Sequence, residues 1–179
     1  MILTGDEIRR MLEQNRLTIE PYDPAQIEPN AYGCRLGSTL LEYSSDQIDA
    51  RTSPTVIEHH MPEEGMVLLP NRFYLGSTCE RIGSTDFASE LYANRSTASC
   101  GIFVQTSAPL GHTGAVIRWT LEIVVAQPIR VYPGMKAVKV CFWANHGAIK
   151  AYEGRYRQSM NVTPSMLFQD GPAAEQDLA

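Results

Sequence analysis

The sequence predicts a mainly β fold of the sandwich, barrel or jelly-roll kind, and three observations predict it. Short apolar segments recur from Cys34 to Ala144. Turn-forming groups separate them, among them Pro70-Asn71, Leu110-Gly111-His112-Thr113-Gly114, Gln127-Pro128 and Pro133-Gly134. Sustained helical spacing appears only near the N-terminus. Many short strands with frequent turns bury one face each and close on one another, whereas helix-strand alternation would indicate a parallel sheet.

The elements follow in order. Thr4 and Glu7 form a capping box, and Ile8, Met11 and Leu12 recur at helical spacing, so a helix is expected from Asp6 to Gln14. Leu17-Thr18-Ile19 reads as a brief strand closed by Pro21 and Pro24. Further strands are expected at Cys34 to Tyr43, Met66 to Leu69, Phe73 to Glu80, Ile102 to Thr106, Ala115 to Ala126, Ile129 to Val131 and Ala137 to Ala144. Ala88 to Tyr92 looks extended, Arg95 to Cys100 suits one helical turn, and His59-His60 with Met61-Pro62-Glu63 reads as loop. Beyond Ala148 the chain turns polar. One domain is expected over residues 1–170, with residues 171–179 as a frayed tail.

Composition narrows the function. The 179 residues carry a formal charge of −5 and a pI near 5.4, which argues against nucleic-acid binding through a broad basic face. No apolar run reaches the roughly 18 residues of a membrane span, and the start lacks the basic-then-apolar form of a signal peptide. The expectation is a cytoplasmic protein with no membrane or nucleic-acid partner. The four cysteines, Cys34, Cys79, Cys100 and Cys141, are scattered and read as buried free thiols. No Cys-x-x-Cys accompanies His59-His60, so zinc is not expected, and no Gly-rich strand-to-helix turn suggests a dinucleotide or phosphate-loop site.

Glu122 is the residue that most needs an explanation. It stands in the apolar strand Thr120-Leu121-Glu122-Ile123, where a charge is costly unless paired or used in chemistry. The plainer reading is a carboxylate paired with Arg118 or Arg95, or one facing solvent on an alternating strand. Upstream lie an arginine, two hydroxyls and small residues, Arg95-Ser96-Thr97-Ala98-Ser99-Cys100-Gly101, which alone read as a turn with a surface arginine.

Three segments carry a resemblance when taken together. The first runs from Met1-Ile2-Leu3-Thr4-Gly5-Asp6-Glu7-Ile8 through Asn15-Arg16-Leu17-Thr18-Ile19-Glu20-Pro21 to Pro29-Asn30-Ala31-Tyr32-Gly33-Cys34-Arg35-Leu36-Gly37. The second is Arg95 to Glu122, continuing into Tyr132-Pro133-Gly134-Met135-Lys136. The third is Gly154-Arg155-Tyr156-Arg157-Gln158, ending at Thr163-Pro164-Ser165. In order and spacing the set resembles the deoxycytidine triphosphate deaminase family, which shares its fold with the trimeric deoxyuridine triphosphatases.

That resemblance implies a distorted β-barrel or jelly roll of the deoxyuridine triphosphatase-like type with a short N-terminal helix. It also implies a homotrimer with active sites between neighbouring subunits. The implied reaction is zinc-independent deamination of a pyrimidine deoxynucleoside triphosphate, dCTP to dUTP plus ammonia, with Mg²⁺ carried by the triphosphate. Glu122 matches the glutamate that activates water, and Ser96 matches a group that holds the base or the water. Arg95, Ser96 and Thr97 match the start of the phosphate-and-base motif, where Arg suits phosphate by its fork of donors. The backbone at Thr120 and Leu121 would read the pyrimidine edge. Tyr152 and Arg155 match residues that grip the triphosphate. Gln158 is taken for the glutamine of that motif, although ungapped alignment places Ser159 there.

Departures accompany the matches. The motif from Arg95 is one residue shorter than the family pattern and lacks its second arginine, with Ser99 or Cys100 in that place. His112-Thr113-Gly114 replaces the family's Asp-Pro-Gly, so His112 stands where an aspartate would meet the sugar, and Gly33 replaces another aspartate. Two further readings follow: a triphosphatase on the same fold that releases pyrophosphate, and a catalytically silent nucleotide-binding regulatory module.

Overall fold

The computed structural model describes residues 1–104 and 107–170. Helix α1 (Gly5–Glu13) starts as the capping box requires, with Thr4 Oγ1 accepting from Glu7 N at 3.3 Å, and it buries Ile8 and Met11 against the strands. Strands β1 (Thr18–Glu20), β2 (Ile27–Glu28), β3 (Ala31–Arg35), β4 (Thr39–Tyr43), β5 (Val56–His60), β6 (Met66–Leu68), β7 (Tyr74–Gly83) and β8 (Phe87–Ala93) follow. A single turn, α2 (Arg95–Ser99), leads to β9 (Ile102–Val104), β10 (Leu110–Gly111), β11 (Val116–Val125), β12 (Ile129–Val131) and β13 (Lys136–Ala144).

Two antiparallel sheets form the jelly roll. One has the order β5-β4-β7-β11-β9 with β1 added to β7; the other runs β10-β8-β13-β3-β2; β12 and β6 pair separately. Between them lies the core, with Tyr32, Leu91, Val138 and Phe142 from one sheet and Leu40, Ile82, Leu121 and Ile123 from the other. The mainly β expectation therefore holds, and so does the N-terminal helix.

Three local expectations change. Cys34 to Tyr43 is two strands, because the chain leaves one sheet for the other at Leu36-Gly37. Leu36 N donates to Met135 O at 2.9 Å on one side of the switch, and Gly37 N donates to Ser77 O at 2.7 Å on the other. His59 and His60 lie in β5 instead of a loop, paired with Leu40 and Thr39. This edge strand leaves residues of both faces exposed, so it carries no alternating apolar signal. Leu110-Gly111 pairs with Glu90 and Ser89, which turns part of an expected turn into strand. The last two residues expected in the strand at Ile102 to Thr106, and the whole tail 171–179, fall outside the described residues.

The cysteines are free, but only Cys34 and Cys141 are buried; Cys79 is half-buried and Cys100 is exposed at the end of α2. That corrects the expectation of four buried thiols. Burial pushes the Cys34 thiol well up.

Among the described residues one acid is fully buried, and it is Glu80. Its carboxylate accepts from Arg35 Nε at 2.7 Å and from Arg35 N at 2.9 Å, which ties β7 to β3 across the two sheets. A β-bulge makes room for it: Arg118 pairs with Arg81 but Thr120 pairs with Ser77, so Thr78, Cys79 and Glu80 stand opposite Trp119. Thr78 Oγ1 closes the gap by accepting from Trp119 N at 3.0 Å and donating to Glu80 O at 2.7 Å.

Candidate active site

Just past the bulge, β11 alternates cleanly. Leu121, Ile123 and Val125 enter the core, while Thr120, Glu122 and Val124 face outward and are half-buried. Glu122 is thus not sunk in an apolar interior; period-two alternation puts it on the outer face. There it lines a cleft of about 630 Å³ together with Tyr43, Phe73, Ser107, Thr120 and Ser159. The Tyr43 and Phe73 rings form one wall, parallel to within 1° and 6.2 Å between centroids.

The C-terminal polar segment covers this face as a strap. Arg118 N donates to Ser159 O at 2.9 Å, and Thr163 N donates to Thr120 Oγ1 at 3.0 Å. Further along, Ser165 N donates to the Tyr43 hydroxyl at 3.2 Å and Met166 N to the Tyr156 hydroxyl at 2.8 Å. Polar as the segment is, Thr163 N and Ser165 N find partners on the sheet, and Met166 N finds one within the segment. Gln158 is exposed and does not line the Glu122 cleft; its neighbour Ser159 does.

Two residues singled out far apart in the sequence stand together. The rings of His112 and Tyr152 stack at 5.3 Å, and Tyr152 N donates to Thr113 O at 2.8 Å. Thr113 is buried, and its hydroxyl accepts from Asn145 Nδ2 at 2.8 Å. Gly114 permits the approach: its φ is +97°, and a Cβ there would lie 2.9 Å from Tyr152 N. Gly114→Ala is therefore expected to cost about 1–3 kcal/mol in urea unfolding and to separate Tyr152 from His112, which the loss of ring-current shifts between the two side chains would report. Tyr152 and Arg155 line a smaller adjoining cleft that shares Tyr156 and Ser165 with the first. Arg155 Nη1 donates to Met166 O at 2.5 Å, and the guanidinium also pairs with Asp170.

Arg95, Ser96 and Thr97 lie apart from these groups. On α2, Arg95 and Ser96 are exposed while Thr97 packs inward at 5% exposure. Ile102, just after α2, pairs with Val125, three residues past Glu122. That distance is about 10 Å along the strand. Within one chain, then, Glu122 and Thr120 share a cleft, His112, Tyr152 and Arg155 gather beside it, and Arg95 and Ser96 line neither cleft. Arg118 lines a different cleft from Glu122. Ser159, which the ungapped alignment sets at the motif's glutamine, lines the cleft, and so do Tyr43 and Phe73, which no motif marks. For Tyr43 and Phe73, the aromatic ends of two strands were the available sign.

A family model described as dCTP deaminase-like matches residues 2–145. The chain belongs to the dCTP deaminase-like family. A Cytophaga hutchinsonii protein named dCTP deaminase, dUMP-forming, is 36% identical over 171 residues, which is 95% of this chain and 98% of its own length. A Leptospira biflexa protein of the same name is 37% identical over 171 residues, with the same shares of both chains. The crystal structure of 2′-deoxycytidine 5′-triphosphate deaminase from Agrobacterium tumefaciens matches 81% of this chain with a TM-score of 0.63 and 22% identity. This chain spans 48% of the length of that one, and the likeness bears on the fold alone. The dCTP deaminase-like match takes in Arg95, Ser96, His112, Thr120 and Glu122, and it ends before the strap that carries Tyr152 and Arg155.

Proposed function

We propose that the chain is an enzyme that hydrolyses dCTP to dUMP, with release of ammonia and pyrophosphate. The observation that carries this reading is Glu122: a half-buried carboxylate on a rigid central strand, in a cleft large enough for a nucleotide. The names of the relatives, dCTP deaminase, dUMP-forming, supply the substrate and the end product. Deamination alone would stop at dUTP, so the proposed reaction joins the deaminase and triphosphatase readings in one sequence of two hydrolyses.

In the first hydrolysis, Glu122 takes a proton from water as the oxygen adds to C4 of cytosine. The same carboxyl passes that proton to the 4-amino group. The C4–N bond then breaks, ammonia leaves, and the proton left on the C4 hydroxyl moves to N3, so that a carbonyl remains at C4. In the second, water adds at the α-phosphorus and the bond to the pyrophosphate oxygen breaks. Thr120 and Leu121 read the pyrimidine edge through their backbone, His112 meets the sugar, and Tyr152, Arg155 and Gln158 hold the triphosphate. A Mg²⁺ ion takes most of its ligands from phosphate oxygens and water, and it would reach this site on the triphosphate and neutralise part of its charge.

Arg95 and Ser96 are exposed and do not line the Glu122 cleft of their own chain, which supports their service in trans within a homotrimer, Arg95 to phosphate and Ser96 to the base or water. Thr97, packed inward, anchors their turn. Mixing inactive Glu122→Gln chains with inactive Arg95→Ala chains is expected to restore part of the activity, measured as ammonia release after co-refolding. No recovery would place all the groups in one chain.

Incubation with dCTP and Mg²⁺ tests the reaction itself. Ammonia, pyrophosphate and dUMP are expected in equal amounts. Ammonia with dUTP would restrict the chain to deamination, and nucleotide binding without products would leave the silent regulatory module.

A further inference from the structure

We propose that a second cleft, across the strap from Glu122, binds the phosphate group of a small phosphorylated metabolite through Arg118. The cleft measures about 780 Å³ and shares only Pro164 with the Glu122 cleft. Around Arg118 it presents the hydroxyls of Ser38, Thr39 and Ser77 and the side chain of Asn161. Its volume lies within the range of cavities that hold small ligands, about 300–1,000 Å³.

Arg118 Nε is shut off from solvent and has no hydrogen-bond partner among the described residues. A charged donor left in that state is costly and calls for an acceptor beyond the described side chains, an oxygen of a water, an ion or a ligand. The other unpaired buried atoms, Gln26 Oε1 and Ser89 Oγ, do not line this cleft. A guanidinium fork matches phosphate oxygens in geometry and charge, and hydroxyls complete such a shell. Gly37 keeps the Ser77 hydroxyl open, since a Cβ there would lie 2.9 Å from Ser77 Oγ. Glu58 is the one carboxylate lining the cleft; more than half exposed, it sits 3.1 Å from His60 Nε2.

The site is independent of the proposed chemistry at Glu122, and its test reads Arg118 itself. The Nε–H signal of Arg118 in ¹⁵N-correlated spectra of the full chain is assigned by its loss in Arg118→Lys. Adding pyrophosphate is expected to move this signal saturably. The same movement is expected in Arg155→Ala, where the proposed triphosphate grip is weakened. Calorimetry with Arg118→Gln is expected to show this binding weakened at least tenfold, with circular dichroism checking the fold. A signal that stays still in wild type, or moves only while Arg155 is present, overturns the proposal.

Discussion

Replacing Glu122 with glutamine is expected to slow ammonia release from dCTP by about 10²–10⁴-fold, the usual contribution of a positioned general base. Glutamine keeps the shape and the hydrogen-bonding reach but cannot accept a proton from water. Nucleotide affinity, measured by calorimetry, is expected to stay within a few-fold, because the triphosphate and sugar contacts are assigned to other residues. Stability is expected to change little. Glu122 is half-buried on the outer face of β11, with Leu121 and Ile123 carrying the core contacts on either side. A large loss of affinity with unchanged turnover at saturation would make Glu122 a binding group and remove the proposed base.

The largest effect on stability is expected at Glu80. Glu80→Ala removes the fully buried half of an ion pair and leaves the partly exposed Arg35 without its carboxylate, 2.7 Å from Nε and 2.9 Å from its backbone N–H. Breaking a buried pair costs about 3–5 kcal/mol, and with Arg35 partly exposed the lower end, about 3 kcal/mol, is expected. For a chain of this size that corresponds to a fall of roughly 10 °C in the melting temperature. The double variant Glu80→Met with Arg35→Met is expected to be more stable than Glu80→Ala, because it leaves no charge stranded. If thermal scans of Glu80→Ala match wild type, the pair does not hold the two sheets together.

These two acids show how far local pattern reaches. A carboxylate in an apolar strand suggested an unusual cost at Glu122, but the alternation along β11 turns it outward, where water moderates that cost. The costly acid is Glu80, seven residues into β7, and its burial depends on the register slip against Arg118 and Thr120. Pairing register is a relation between distant strands, so no local window reports it. His59 and His60 were read as loop for a related reason: an edge strand exposed on both faces lacks the alternation that marks a half-buried strand.

The candidate site divides in the same way. Glu122, Tyr152 and Arg155 are visible through matched motifs and His112 as a departure from one, while the stacking of His112 on Tyr152 joins positions forty residues apart. Tyr43 and Phe73 carry no motif, and they line the cleft with Ser159 because β4, β7 and the strap converge there.

By itself the sequence determined the secondary structure that depends on neighbours in the chain: the capped helix, most strands, the turns and the family motifs. Capping, period and turn chemistry act over a few residues and are written where they act. Tertiary structure alone decided the sheet switch at Leu36-Gly37, the burial of Glu80, the strap over β11 and the separation of Arg118 from Glu122. Each of these is set by which distant backbone groups and side chains satisfy one another when the two sheets close on a common core.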